Sequence, residues 1–317
     1  MMGLSGATTC SKELSGDENS GVVSANVSSP SKVVLCWRVT LPIQSGVCSA
    51  PALRAAHVGV AMGKSGTDLA RETAELIITD DNFASIVAGI EEGRVAYANV
   101  RKVVFLLIST GAAEIVLFVL ALIAGLPLPL LAVQLLWLNL VTNGIQDVAL
   151  AFEPGEGDEL RKPPRAPLER IFNPLMIERV VISALLIGAL AFLLFQWLIE
   201  QGYSIEEARN GVLLLMVLFE NVQVFNSRSE TLSAFRHNPM RNPLLLFGTL
   251  AAQGVHIAAM YTPWISDVLQ IQPVSLEHWA ELLLIALSLL VIMELQKWFY
   301  ARRHPKGKSG LGEAMAR

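Results

Sequence analysis

Charge is what this chain has least of. Asp, Glu, Lys and Arg make up 16% of its 317 residues against 53% hydrophobic, and the mean hydropathy is +0.49. Water-soluble domains carry roughly a quarter charged residues, so the balance points to a membrane protein rather than a soluble enzyme. The net charge of −4 is modest and no basic face is built up, which excludes a nucleic-acid partner. Cysteine is also scarce. Cys10, Cys36 and Cys48 lie at spacings that fit neither a zinc site nor a disulfide framework, and they are read as reduced thiols. The Ser- and Gly-rich first residues contain no apolar run, so no secretory leader is expected.

What the chain does have is long apolar runs: Val103–Ile123, Leu130–Ala151, Met176–Ile199, Gly211–Phe225 with its flanks, Pro243–Tyr261 and Trp279–Phe299. Each approaches the ~20 residues a helix needs to cross the hydrocarbon core. The expected fold is a mainly α membrane protein, a six-transmembrane-helix bundle. Basic residues mark alternate loops: Arg101 and Lys102; Arg161, Lys162, Arg165, Arg170 and Arg179; Arg228, Arg236 and Arg241; Lys297, Arg302, Arg303, Lys306 and Lys308. The other loops hold Arg209 alone. The positive-inside rule therefore places both termini in the cytoplasm, with the plasma membrane as the expected location.

Upstream of the spans, residues 1–45 read as irregular or disordered, apart from the short run Val33-Val34-Leu35. Within 46–82, His57–Met62 and Leu76–Thr79 read as strands, Thr67–Ala74 as a helix and Gly63–Gly66 as a turn. That unit is too small to close a core by itself. Asp80-Asp81-Asn82 offers helix caps ahead of a proline-free stretch from Phe83 to Ala124. Its charged first part, 83–102, is expected to be a cytosolic stalk helix that runs on into the transport domain, 103–303, and 304–317 is expected to be a cytosolic tail. If continuous, that helix is roughly 60 Å long.

Polar residues inside apolar spans are costly and usually face the protein interior. Asn139, Thr142, Asn143, Gln146 and Asp147 follow helical spacing and are expected on one face of the second span, with Gly144 loosening the helix. Thr110 and Glu114 share a face of the first. Oxygen-only groups of this kind suit a hard cation such as Ca²⁺, Na⁺ or K⁺. The strongest candidates are Glu114, Asn139, Thr142, Asn143 and Asp147; Thr110, Gln146, Glu220, Gln223 and Glu230 are weaker. The bland reading is that these side chains hold helices together, and it weighs most for Glu220, Asn221, Gln223, Gln253 and His256.

Several stretches resemble one family. His57-Val58-Gly59-Val60-Ala61-Met62-Gly63 with Gly66-Thr67 looks like the end of the HAD-like phosphorylation domain of P-type cation-transporting ATPases. Asp80-Asp81-Asn82-Phe83 and Ile90-Glu91-Glu92-Gly93-Arg94 resemble that family's approach to its stalk helix. Gln134 to Gly144 looks like its sixth span, Lys162–Pro167 like the loop after it, and Asn226–Glu230 like its eighth span. The resemblance covers about residues 50–303 and is closest to the P2 branch, the calcium-pump-like and bacterial cation pumps. It implies an incomplete HAD-like remnant followed by spans five to ten of a pump. It also implies ion-coordinating roles for Glu114, Asn139, Thr142 and Asn143, with Glu230 as a further ligand.

The departures carry equal weight. Gly111 and Asn143 stand where calcium pumps have Asn and Asp, and Asp147 lies one turn on. The family's T-G-D-G-x-N-D-x-P motif is replaced by Gln44-Ser45-Gly46-Val47-Cys48-Ser49-Ala50-Pro51, and no D-K-T-G segment is present. No catalytic or nucleotide-binding residues are assigned, and ATP and Mg²⁺ belong only to a complete family protein. A truncated or misassembled product, inactive as an ATPase by itself, is expected. The alternatives are a non-enzymatic six-span scaffold, a passive ion path, or a subunit complementing a separate ATPase half. The expected partners are the lipid bilayer, a hard inorganic cation and that missing half.

Overall fold

A computed structural model describes residues 22–26, 32–36, 50–161, 171–229, 233–236 and 238–303. The chain divides into two compact units, residues 1–94 with 157–166 and residues 95–156 with 167–317.

The first unit is built on a sheet of four strands: β1 (Val22–Asn26), β2 (Lys32–Cys36), β3 (Val58–Met62) and β4 (Leu76–Ile78). They lie in sequence order. β1 and β2 pair antiparallel, and β2–β3 and β3–β4 pair in parallel. The first two strands correct the expectation that residues 1–45 are irregular throughout. Val22-Val23 and Val33-Val34-Leu35 are short, but β-branched residues favour extended backbone. β2 gains a full ladder on β3, from Val33↔Val58 to Cys36↔Ala61. These strands supply the neighbours that the strand–helix–strand unit lacked on paper.

Helices α1 (Ala50–Ala55) and α2 (Asp68–Thr73) accompany the sheet. Thr67 caps α2 by accepting a bond from the Ala70 amide at 3.2 Å. The alternation of β3 separates two small cores, Leu53, Ala61 and Ala70 in one and Val60, Met62 and Ile78 in the other. The Gly63–Gly66 turn is held from both sides. Arg71 Nη1 donates to Gly63 O at 2.7 Å and Gly66 O at 3.2 Å. Asp81, in the left-handed region at φ 56°, accepts from the Lys64 amide at 2.9 Å and the Ser65 amide at 2.7 Å. The Lys64 backbone N–H above all, helped by the hydroxyl and amide of Ser65, holds its carboxyl below its ordinary value of 3.8 against the opposing effect of burial.

Helix α3 (Phe83–Ile123) is continuous over 41 residues, Gly89 and Gly93 included. It starts where the polar run predicts: Asn82 Oδ1 accepts from the Ala84 amide at 3.0 Å, and Asp80 Oδ2 accepts from the Ser85 hydroxyl at 2.6 Å. Beyond it come α4 (Ala132–Trp137), a π-helical turn (Leu138–Thr142), α5 (Asn143–Ala151), α6 (Pro174–Glu200), α7 (Ile205–Ser227), α8 (Pro243–Tyr261), α9 (Pro263–Leu269) and α10 (Leu276–Arg303).

Five of these helices, α3, α6, α7, α8 and α10, are long and apolar enough to cross a membrane. The second expected span is not one α-helix; it is the α4–π–α5 composite. The least hydrophobic of the five, α7, is the most buried, and its 212–219 run is closed off on all sides. Packed between α6 and α10, it shows lipid little of its surface, so its polar residues face protein. Arg179, expected in a cytosolic loop, lies inside α6 instead, 1% exposed, with its guanidinium carbon 4.5 Å from the centre of the Phe105 ring.

Small residues set how closely α6 approaches α3. A Cβ on Gly188 would lie 2.6 Å from Val116 Cβ and 2.7 Å from Ala113 O, closer than real contacts allow. Gly188→Leu is therefore expected to lower the stability of the detergent-solubilised protein by about 1–3 kcal/mol, the usual cost of overpacking, read from its thermal unfolding.

Asp81 gives a pH signature. Its carboxyl titrates lower when folded than when free, so its bonds to the turn contribute above the ordinary carboxylate value and are lost as pH falls through the lower folded value. Hydrogen-exchange protection of the Lys64 and Ser65 amides should persist down to about pH 4 and disappear below the Asp81 titration. Asp81→Ala should remove that protection at neutral pH.

Candidate functional site

The α4–π–α5 composite is where the membrane unit departs from regular structure. The Asn143 amide reaches back to Leu138 O, a turn one residue wider than an α-turn. The Thr142 hydroxyl bonds the same carbonyl at 2.7 Å. A hydroxyl competing for the i−4 carbonyl is a known way to open a helix. The loosening therefore falls just before Gly144 rather than at it.

The wide turn changes which way the polar residues face. At ~100° per residue, one extra residue rotates everything after it relative to what came before. Four of the five polar side chains expected on one face are divided between two neighbours. Asn139 and Asn143 address α3: Asn139 Nδ2 donates to Glu114 Oε1 at 2.9 Å and Oε2 at 3.2 Å, and Asn143 Nδ2 to Thr110 Oγ1 at 3.3 Å. Thr142 and Gln146 address α7: the Thr142 hydroxyl meets Glu220 Oε2 at 2.5 Å, and Gln146 Nε2 donates to Asn221 Oδ1 at 2.7 Å. A relay continues to α8, where Asn221 Nδ2 donates to Gln253 Oε1 at 2.7 Å.

Glu220 is the residue whose weight the structure changes most. It is fully buried and bonded to the composite through the Thr142 hydroxyl. The signal was present in the sequence, as a carboxylate in the middle of an apolar run. Gln223, by contrast, bonds Ser109 Oγ at 3.0 Å and accepts from Asn226 at 3.2 Å; none of its bonds reaches a carboxylate. Glu230 lies outside the described residues, as does the Lys162–Pro167 motif.

Four side-chain oxygens around the wide turn have no hydrogen-bond partner among the described residues: Asn143 Oδ1, Gln146 Oε1, Asp147 Oδ1 and Glu220 Oε1. Buried acceptors are rarely left this way. Asn143, Gln146 and Glu220 are fully buried, while Glu114 and Asp147 are half-buried. Among the described residues no three His, Cys, Asp or Glu converge as a metal cluster. The donor set is thus mixed amide and carboxylate oxygen, which is the chemistry of hard cations.

A second buried network anchors the composite at its C-terminal end, and nothing in the sequence reading pointed to it. Glu153 Oε1 accepts from Arg228 Nε at 2.9 Å, and Oε2 accepts from Asn242 Nδ2 at 2.8 Å. Asn99 of α3 donates to Glu153 O at 2.7 Å and Ala151 O at 3.1 Å, and Asn242 also donates to Ala149 O at 3.0 Å. The Arg228 and Glu153 side chains are each 2% exposed. From sequence, Arg228 was only a loop charge, and Glu153, just beyond the apolar run that ends at Ala151, had no role assigned. A buried ion pair broken on one side leaves an uncompensated charge. Glu153→Ala should cost about 3–5 kcal/mol in denaturant unfolding of the solubilised chain, and joining it to Arg228→Met should recover most of that loss.

Residues 127–299 match the family described as "Cation transporting ATPase, C-terminus". The chain is 34% identical over 248 residues to a "Probable cation-transporting ATPase F" of Mycobacterium bovis, covering 78% of this chain and 27% of the relative. It is 35% identical over 235 residues to a "Calcium-transporting ATPase" of Bacillus subtilis, covering 74% and 26%. It is 33% identical over 264 residues to a "Calcium-transporting ATPase type 2C member 2" of Mus musculus, covering 82% and 28%. The chain therefore spans about a quarter of the length of these relatives.

Proposed function

The chain belongs to the P-type cation-transporting ATPases, as a C-terminal part of one, and on that premise we propose that its helical bundle holds the intramembrane site of an ATP-driven cation pump. It is an integral, multi-pass membrane protein. The α4–π–α5 composite counts as a span in this reading, giving six, with both termini cytoplasmic and the plasma membrane as the location. Residues 46–82 are the HAD-like remnant, 83–102 the cytosolic stalk and 103–303 the transport domain.

One observation supports the site above the others: four partnerless oxygens from α5 and α7, two of them amide and two carboxylate. A cation beside Glu220 and the amide oxygens of Asn143 and Gln146 offsets the carboxylate charge and supplies the oxygens with what the protein does not. The composite carries polar residues toward both α3 and α7, so ligands come from three helices. Asn139 and Thr142 orient Glu114 and Glu220 through the bonds described above. Ca²⁺ is the first ion to test because two of the relatives bear its name, with Na⁺ and K⁺ as the competing hard cations.

Hydrolysis of ATP with Mg²⁺ belongs, in this reading, to a separate ATPase half; a P-type cycle runs through an aspartyl nucleophile, and no D-K-T-G segment is found among these residues. The purified chain is expected to take no label from γ-labelled ATP.

The test is equilibrium binding of radioactive Ca²⁺ to the purified chain in detergent, with Na⁺ and K⁺ as competitors. A saturable site is expected. Glu220→Gln and Asp147→Asn should each weaken it about tenfold or more, the scale of losing one charged oxygen contact. Saturable binding that both variants leave intact, or no saturable binding of any of the three ions, would return these residues to helix packing.

A further inference from the structure

At the opposite end of the bundle from the Glu153–Arg228 network, the last turns of α6, the first turns of α7 and α10 and the loop before α10 border a half-open cavity of about 250 Å³. It has no part in the site already described. We propose that it binds a small organic ammonium group.

Its walls have two characters. Trp197, Leu198 and Leu282 present apolar surface, while Glu207, Asn210 and Glu281 present oxygen. Asn210 is the decisive residue. It is 6% exposed, it lines the cavity, and its Oδ1 has no hydrogen-bond partner among the described residues. Its amide nitrogen is already committed to Gln272 O at 2.8 Å, which fixes the side chain so that the oxygen is what remains to accept. An acceptor of this kind, in a cavity edged by two carboxylates, calls for a ligand that donates hydrogen bonds and carries positive charge. The neighbouring Arg209 is not that cation, because its Nε donates to Leu128 O at 2.9 Å.

A bare metal ion fits poorly. Calcium takes six to eight oxygens, whereas half of this cavity is hydrocarbon and indole. Among the described residues no three His, Cys, Asp or Glu converge closely enough to hold a metal, His278 with Glu207 and Glu281 included. A protonated amine meets both characters at once. Its N–H groups reach Asn210 Oδ1 and the carboxylates, and its carbons lie on Trp197, whose ring face also attracts cations. Glu207 is held in place by the Ser204 amide at 2.9 Å and hydroxyl at 2.8 Å. Such an amine has two sources, a free solute or the headgroup of phosphatidylethanolamine, and the recognising chemistry is shared.

The experiment is equilibrium binding of radiolabelled ethanolamine to the full chain, first in maltoside detergent and then in bilayers of phosphatidylglycerol with and without phosphatidylethanolamine. A saturable site is expected that Na⁺, K⁺ and Ca²⁺ at equal concentration do not displace. Glu281→Gln should weaken it about tenfold. Asn210→Ala should do the same. Suppression by phosphatidylethanolamine assigns the lipid source; binding equal in both bilayers assigns the solute. Non-saturable binding, displacement by an inorganic cation, or binding that survives both Glu281→Gln and Asn210→Ala would overturn the proposal. Glu114→Gln, placed in the proposed ion site, should leave ethanolamine binding unchanged, so failure of one site is distinguishable from failure of the other.

Discussion

Inside a bilayer a polar side chain has no water to turn to, so each one must find its partner within the protein, on its own helix or another, or be left with a debt of several kcal/mol. The membrane unit is organised around that constraint. α7 is the least apolar of the long helices and is accordingly the one surrounded by protein. Its Glu220, Asn221 and Gln223 reach respectively toward the composite, toward α8 through Gln253, and toward Ser109 of α3. The same rule gives meaning to the exceptions. Acceptors that are buried yet unmatched, such as Asp147 Oδ1, Glu220 Oε1 and Asn210 Oδ1, are where a ligand from outside the chain has something to bind.

The gross architecture was legible because hydropathy and charge act over whole segments. Pro243–Tyr261 is bounded by residues that announce its ends, and the helix found there has those limits. Proline-free sequence after Asp80-Asp81-Asn82 likewise yields one helix of 41 residues. What failed to show were features decided by a partner distant in sequence. β2 is stabilised by its ladder with β3, which a window on residues 32–36 does not contain. Arg179 reads as a loop charge until its position over Phe105 is known.

The candidate site was half legible for the same reason. Residue types could be read, since Asn, Thr, Gln and Asp in an apolar run are conspicuous, and four of the five residues of the second span bond side chains of α3 or α7. Their common face could not be read correctly, because it presumed an uninterrupted 3.6-residue period. A single hydroxyl, that of Thr142, contests the Leu138 carbonyl, and helical phase downstream of it is different. Glu220 was underrated by being judged within its own helix, whereas its closest bond is to a residue 78 positions away in sequence.

The wide turn also bears on how such a helix can change over time. It stores one residue more than an α-helix needs between Leu138 and Asn143. Removing one residue there lets the segment close into ordinary α-helix with its two ends in nearly the same place, whereas the same deletion in α6 or α10 would rotate half a span by ~100° into lipid. The composite is therefore the place in this bundle where a lineage is able to gain or lose a residue, and with it re-aim a set of polar groups, without rebuilding the helices on either side.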